Sequence, residues 1–362
     1  MKRSRIPLIS ALFLILAFSG CGGESADQYA GEQITAMKEE DTSSFALLLD
    51  QGIEESNAVY TLQFPEELRD PSLDFLQSAF GTMDFEVAKA DKQSDGQYTV
   101  NISFTPIDIS ATTQAAREAH LAAMASTDLT AETTALFEAC GTALQDEPQY
   151  LDEVLVSLAV EETDDGFSIP EDQMKAFLQE ALPGYMEPYD AVCEILDAQD
   201  FLKSYLDASF KGEVTQFALH TGRTEEEALA WYEADVFDPP SDLTAAYHDR
   251  YSAALKEIMK QCQYTVGIPK KEAGIYNYTV DVTVIPNNSI LETFQKIGNG
   301  TYYSIEAVSK DLVETMEAYT TSPAYGEETT LSVSLNMSEM LAAGDAESAF
   351  TNLALTILPM PE

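Results

Sequence analysis

The chain contains few basic residues. Its 362 residues include 19 Lys and Arg against 62 Asp and Glu, which gives a formal net charge of -43. A field of this sign repels phosphate groups and anionic lipid headgroups. We therefore exclude nucleic acid as a partner. Solubility is the simplest explanation of the remaining acidic surface.

The apolar run near the start of the chain is too short to cross a bilayer. It extends over 13 residues, from Ile6 to Phe18, whereas a membrane-spanning helix needs roughly 20. Three basic residues precede this run and two small residues follow it. This order is typical of a secretory signal, which we expect to span residues 1–20 and to be cleaved. The mature chain would then carry 16 basic and 62 acidic side chains, for a formal charge of -46.

A cysteine, Cys21, directly follows the small residues Ser19 and Gly20. This arrangement resembles the lipobox of bacterial lipoproteins, although Phe18 replaces the aliphatic residue usual three positions before the cysteine. The resemblance implies a lipid on Cys21 that holds the protein to the outer face of the bacterial cytoplasmic membrane. The alternative is an ordinary signal peptide with an incidental cysteine. We expect residues 21–29 to form a flexible tether.

Three further cysteines are widely spaced, with no short C-x-x-C motif: Cys140, Cys193 and Cys262. Their neighbours are typical of helices, so small buried thiols are the favoured interpretation over a redox pair.

The chain also has only three histidines, His120, His220 and His248. They form no H-E-x-x-H motif, and we expect them to be solvated helical residues. The sequence also contains no G-x-S-x-G elbow, and no S-x-x-K with its companion K-T-G. We therefore predict no catalytic, cofactor-binding or metal-binding residues.

One partial calcium pattern has a simpler explanation. Glu161, Thr163, Asp165, Gly166 and Asp172 follow an EF-hand-like spacing, but the first and last residues are wrong for a strong site. The segment 164–166 lies between alternating strands, so we favour a hairpin turn.

The chain shows internal similarity. The segment QYTVNISFTPI, residues 97–107, matches NYTVDVTVIPN, residues 277–287, at four of eleven positions. Similar short segments occur in the same order before and after both copies. We therefore predict an α+β fold formed by a tandem duplication, with repeats at 30–185 and 186–362.

The alternating pattern of each copy predicts strands with one buried face. Glycines in Asp95-Gly96 and at Gly274 mark hairpin turns before the matched strands. A second alternating strand follows a helical region in each copy. Each repeat should therefore be an antiparallel sheet of about four strands in two hairpins, packed with helices.

The clearest helix start is at Thr224, where Glu227 can complete a capping box. Trp231 and Tyr232 follow at helical spacing, and we favour core packing over a ligand platform for both. The segment TGRTEEEALAWYE, which begins at Thr221, is similar to one in poorly characterised two-repeat surface lipoproteins of the Gram-positive type. That family, a domain of unknown function, has no assigned chemistry, so the resemblance implies no catalytic residues.

These features favour a noncatalytic binding or interaction module that recognises an envelope protein or a small ligand. This hypothesis predicts a concave or apolar patch where the repeats join and no cluster of carboxylates with shifted acidity. One alternative is a lipid-anchored solute receptor of an importer, which would have parallel, doubly wound lobes. The other is a cell-envelope hydrolase.

Overall fold

A computed structural model describes residues 25–39, 42–234, 236–272, 277–336 and 347–361, except for the side chains of 347–349. Within these ranges the chain is α+β, with two antiparallel sheets and helices packed against them. The signal segment, Cys21 and the turn predicted at Gly274 lie outside the described residues.

The described part of the chain contains thirteen α-helices: α1 (Ala26–Glu39), α2 (Ser43–Val59), α3 (Arg69–Gly81), α4 (Ile109–Ala123), α5 (Leu129–Asp146), α6 (Glu171–Ala181), α7 (Glu187–Lys211), α8 (Thr215–Thr221), α9 (Glu225–Glu233), α10 (His248–Met259), α11 (Ser289–Gly298), α12 (Ile305–Tyr319) and α13 (Glu347–Ile357). Short 3-10 helices precede α3 and α10 at Glu66–Leu68 and Ala245–Tyr247.

The strands are β1 (Phe85–Val87), β2 (Asp91–Ser94), β3 (Gln97–Phe104), β4 (Val154–Thr163), β5 (Gly166–Ser168), β6 (Gln263–Val266), β7 (Lys270–Lys271), β8 (Asn277–Ile285) and β9 (Thr329–Asn336). All pairs among them are antiparallel. The parallel lobes that a solute receptor would have are therefore not formed by the described strands.

The first sheet is built around β3, which pairs with β1 and β2 along one edge and with β4 along the other. Val100, Ile102 and Phe104 point into the core, as the alternation predicts. The turn at Gly96 has a φ of 72°, in the region that favours glycine. The predicted turn at 164–166 is confirmed, because Thr163 pairs with Gly166 between β4 and β5.

The second sheet has the same arrangement around β8, which pairs with β6 and β7 on one edge and β9 on the other. Its inward residues, Val280, Val282 and Val284, are fully buried. The prediction of antiparallel sheets packed with helices is thus confirmed.

Equivalent hydrogen bonds occur at corresponding positions within the two sheets. Between β1 and β2, the Ala88 N–H donates to the carbonyl of Asn101 (2.8 Å); between β6 and β7, the Gly267 N–H donates to that of Asp281 (2.8 Å). On the outer faces, the Ser157 hydroxyl donates to the Asn101 side chain at 2.6 Å. The Ser332 hydroxyl donates to the Asp281 carboxylate at 2.7 Å.

Each sheet lies on its own hydrophobic core, and α7 contributes to both. Tyr189, Val192 and Leu196 of α7 belong to the first core, while Phe201 and Leu206 belong to the second. The helix is uninterrupted because it contains no glycine, has proline only in its first turn, and ends at Gly212. The predicted boundary between residues 185 and 186 therefore lies about ten residues before the place where α7 passes from one core to the other.

The first helix begins inside the segment that the sequence predicts to be a flexible tether. Helix α1 starts at Ala26, and both Ala26 and Ala30 are buried. Residues 26–29 are therefore part of the folded body, because their apolar side chains pack against the first core. The predicted tether over 21–29 is wrong for these four residues.

Several local predictions are confirmed. Thr224 and Glu227 form the capping box of α9, and the three described cysteines are buried free thiols. Trp231 packs against Phe217, with 4.7 Å between ring centroids, and Tyr232 is buried. None of the helices in the described ranges is long and apolar enough to span a membrane.

Candidate functional site

A groove of about 470 Å³ lies where the two halves meet. One wall is the face of α7 that carries Asp200, Lys203, Asp207 and Lys211, which recur at helical spacing. The other walls come from both halves and consist of Leu62, Thr127, Tyr264, Thr265 and Val266. We name this the junction groove. The concave patch that the binding hypothesis predicts is present.

A buried carboxylate, Asp207, organises the charges of the junction groove. It accepts hydrogen bonds from Nζ of Lys203 (2.5 Å), from Nζ of Lys211 (2.7 Å) and from the hydroxyl of Tyr264 (2.8 Å). The Asp207 side chain is only 7 % exposed, whereas that of Lys203 is 57 % exposed. The Asp207 carboxylate is therefore mostly buried and accepts three hydrogen bonds from the protein, while the Lys203 ammonium group faces the groove.

These contacts shift the acidity of the network. Burial alone would raise the pKa of Asp207, but the hydrogen bonds from Lys203, Lys211 and Tyr264 outweigh it and hold the pKa below its ordinary value. The hydrogen bond to Asp207 in turn raises the pKa of Lys203. Asp207 and Lys203 are consequently charged at neutral pH. The phenol of Tyr264 is neutral, because burial and the adjacent carboxylate raise its pKa.

Asp200, which lies nearer the start of α7 than Asp207 does, has a different set of partners. It accepts hydrogen bonds from the side-chain amide of Gln216 (2.6 Å) and contacts Nε2 of His220 (2.9 Å). Burial opposes ionisation of Asp200, but these two contacts dominate and lower its pKa. His220 is only 2 % exposed, so the expectation of a solvated histidine is wrong here. The fold of α8 against α7 buries it between two aspartates.

The second of these aspartates is Asp197, which lies behind the groove. Its Oδ1 accepts the backbone N–H groups of Thr61 and Leu62 at 2.9 Å each, and so fixes a loop of the first half to α7. Burial raises its pKa despite those bonds. About two helical turns nearer the start of α7, burial also raises the pKa of Asp190.

Four carboxyl groups of α7 thus have shifted pKa values: Asp190, Asp197, Asp200 and Asp207. The expectation that the junction would hold no such cluster is wrong. The physical reason is that α7 is enclosed by both halves, so its polar face is partly buried and each carboxylate responds to its own partners.

The first half has a corresponding groove, which differs in chemistry. It lies between α1 and β1, as the junction groove lies between α7 and β6. Its lining includes Phe85 and four charged residues: Asp27, Glu32, Lys38 and Asp84. Phe85 pairs with Phe104 on the central strand as Tyr264 pairs with Val284. Lys38 lies 5.8 Å from the Phe85 ring centroid, and Lys211 lies 4.5 Å from that of Tyr264. The first groove lacks a lysine–aspartate–lysine network.

The sequence predicts one candidate site residue, Cys21, which lies outside the described residues. Sequence reasoning missed the junction groove. The only available signal was the spacing Lys203, Asp207 and Lys211, four residues apart along one helix. In a chain so rich in carboxylates, that spacing does not stand out. Within the described ranges, no group of three or more His, Cys, Asp or Glu side chains is arranged to hold a metal ion.

Comparisons with known proteins add little. No family model matches the chain, and no curated protein does. The crystal structure of a predicted lipoprotein (ycdA) from Bacillus subtilis subsp. subtilis strain 168 matches with 13% sequence identity and a TM-score of 0.32. The match covers 76% of this chain and 96% of that chain.

Proposed function

We propose that this chain is a noncatalytic binding protein, anchored by a lipid on Cys21 to the outer face of the bacterial cytoplasmic membrane. In this proposal its ligand site is the junction groove. The anchor is supported by the order of basic, apolar and small residues before Cys21. A lipid of two or more acyl chains gives stable attachment, whereas a single chain gives only marginal binding.

The observation that carries the ligand site is the difference between the two grooves. Charged side chains in a partly buried helix face are costly to desolvate. The first half builds a comparable groove whose one lysine, Lys38, lies 3.9 Å from the exposed carboxylate of Asp84, so this architecture does not require a carboxylate buried between two lysines. A network that the fold can omit, placed in a groove of 470 Å³, is consistent with ligand recognition, since small-molecule sites have volumes of roughly 300–1,000 Å³.

The acidity of the groove carboxylates favours binding over catalysis. A general acid must hold a proton near neutral pH, but the pKa values of Asp200 and Asp207 are both lowered. A general base needs a free lone pair directed at the substrate, but Asp207 already accepts three hydrogen bonds from the protein. Oδ2 of Asp200 accepts one from Gln216 and contacts Nε2 of His220. Asp190 and Asp197, whose pKa values are raised, do not line the groove.

We also propose that the two halves arose by tandem duplication. Three features support this origin. The strand order around β3 matches that around β8. Equivalent backbone hydrogen bonds reach the carbonyls of Asn101 and Asp281, and equivalent outer-face hydrogen bonds come from Ser157 and Ser332. Duplication would leave one copy free to diverge, which accounts for two grooves of different chemistry.

The ligand site can be tested by filling the groove. Thr127 is exposed in its wall, so Thr127→Trp should block the groove with little change to either core. Thr330→Trp, on an exposed position of β9, is the matched control. Native mass spectrometry of full chain purified from membranes should show a small bound molecule in the wild type and the control, and its loss in Thr127→Trp. Equal ligand occupancy in all three would overturn this site.

The anchor needs a separate test. Cys21→Ala should release the chain from the membrane fraction, whereas Cys140→Ala, at a buried thiol, should leave it bound. Cell fractionation followed by immunoblotting measures how much of each variant stays in the membrane fraction. Undiminished attachment of Cys21→Ala would rule out the lipid anchor.

A further inference from the structure

We infer that the junction groove binds a small organic anion, whose carboxylate or phosphate group is held by Lys203 and Lys211. This inference rests on the proposed ligand site and adds the chemical class of the ligand. The charge balance of the groove is the first argument. Two lysines and two aspartates, Asp200 and Asp207, line the groove and make it formally neutral, in a chain whose formal net charge is -43.

The hydrogen-bonding capacity of the lysines is the second argument. Each ammonium group has three N–H donors, and the bonds found in the described part of the chain use one donor of Lys203 and one of Lys211. Both ammonium groups contact the same carboxylate, so a single anion of similar size can reach both. Charge-assisted bonds of this kind are roughly twice as strong as neutral ones.

The role of Asp207 is to position the lysines. Lysine side chains are flexible, and ordering one on binding an anion costs conformational entropy. Because Asp207 is buried and also bonded to Tyr264, it holds Lys203 and Lys211 on one side of the groove before any ligand arrives. A cation would meet two ammonium groups and two carboxylates that already have protein partners. Asp207 accepts three hydrogen bonds, and Asp200 contacts Gln216 and His220.

The rest of the groove indicates an organic body on the ligand. Leu62, Leu196 and Val266 provide apolar lining beside the lysines. An inorganic anion would leave this surface in water, whereas an acid with a short hydrocarbon part would bury it. Thr127 and Thr265 add polar groups at the rim.

The test uses four probes that share a four-carbon tail and differ in the head group: butyrate, butyl phosphate, butylammonium and butanol. Binding to the full chain in detergent micelles is followed by NMR of the methyl groups of Leu62, Leu196 and Val266. We expect butyrate or butyl phosphate to shift these signals at lower concentration than butylammonium or butanol. The comparison of butyrate with butyl phosphate shows which anionic head group is preferred. Raising the salt concentration should weaken the binding, because Lys203 is exposed.

Variants test whether the lysines are responsible. Lys203→Met should reduce the affinity for the preferred anion by about tenfold or more, and Lys203→Arg should retain most of it. Lys203→Met leaves Asp207 paired with Lys211 and Tyr264, so we expect it to fold. Lys260→Met removes an exposed lysine that pairs only with Glu257 on the surface and should have no effect.

The outcomes separate this inference from the proposed function. If butylammonium or butanol shifts the groove methyl groups more strongly than either anion, the groove is a ligand site and the anion inference is wrong. The inference also fails if an anion binds there equally well to Lys203→Met. If no probe shifts these signals at 50-fold the concentration of the protein or at the solubility limit, both the inference and the proposed site are wrong.

Discussion

The ammonium group of Lys271 lies 2.6 Å from Oε1 of Glu194. Lys271 belongs to the second sheet, whereas Glu194 lies on the part of α7 whose neighbours Cys193 and Leu196 pack in the first core. The Tyr278 hydroxyl donates to the same Glu194 oxygen at 2.7 Å. Further along, the Gln199 side chain donates to the carbonyl of Val266. The two halves are therefore joined by polar contacts as well as by the shared helix.

We expect the two halves to unfold together, because α7 cannot lose one core and keep the other without breaking in its middle. Phe80 is fully buried in the first core, and Phe80→Ala should lower stability by about 3–5 kcal/mol. The single tryptophan, Trp231, packs in the second half, so its fluorescence reports there. The fluorescence midpoint of Phe80→Ala should fall together with that of far-UV circular dichroism. An unchanged fluorescence midpoint would show that the halves are independent.

Tyr264→Phe should destabilise the chain by about 1 kcal/mol, because the buried Asp207 loses one hydrogen bond. The phenylalanine at the corresponding position of the first sheet, Phe85, shows that the ring alone fits this architecture. Tyr247→Phe is the control, since its hydroxyl bonds to Glu306 at an exposed site. Urea denaturation measures the free energy of unfolding of both variants. Equal effects in the two variants would mean that burial adds nothing to the Tyr264 bond.

Asp207→Asn should lower stability by about 2 kcal/mol at neutral pH, because two ammonium groups lose their counter-charge. The pKa of Asp207 is lowered on folding, so its ionised form stabilises the chain above the unfolded pKa of about 3.9. That contribution disappears as the pH falls through the lower folded pKa. The difference between wild type and Asp207→Asn should therefore shrink below about pH 4. A difference independent of pH would contradict this account.

Asp197→Asn should have the opposite pH dependence. The pKa of Asp197 is raised by burial, so its ionised form opposes folding at neutral pH, and the penalty vanishes as the pH falls toward the unfolded pKa. The asparagine oxygen can still accept the N–H groups of Thr61 and Leu62. We expect Asp197→Asn to be at least as stable as wild type at pH 7 and to lose any advantage near pH 4. Thermal denaturation at several pH values distinguishes the two aspartates.

Gly212→Ala should be more destabilising than Gly222→Ala. Both glycines end a helix with positive φ, 72° and 65° respectively, so both substitutions introduce backbone strain of about 1 kcal/mol or more. A Cβ at Gly212 would also lie 2.7 Å from Cε1 of Tyr232, whereas a Cβ at Gly222 would meet nothing within 4 Å. The difference in unfolding free energy therefore isolates the packing of Tyr232 against the end of α7. Equal losses would show that this ring moves aside freely.

Local features of the fold were predictable from the sequence because they depend on neighbouring residues. The period-two pattern of β3 and β8 identified their buried faces, and the side chains of Thr224 and Glu227 determined the start of α9. The turn at Gly166 needs only the backbone freedom of one residue. The start of α1 was missed, because its helical period is formed by small residues such as Ala26 and Ala30.

The junction groove was decided by tertiary structure alone. Asp207 and Tyr264 are 57 residues apart, and Leu62 comes from the other half of the chain. With 62 acidic residues, the sequence offers no way to tell a carboxylate on the surface from one that will be buried against two lysines. Burial gives Asp207 its role, and burial arises only when α7 is enclosed between the two halves.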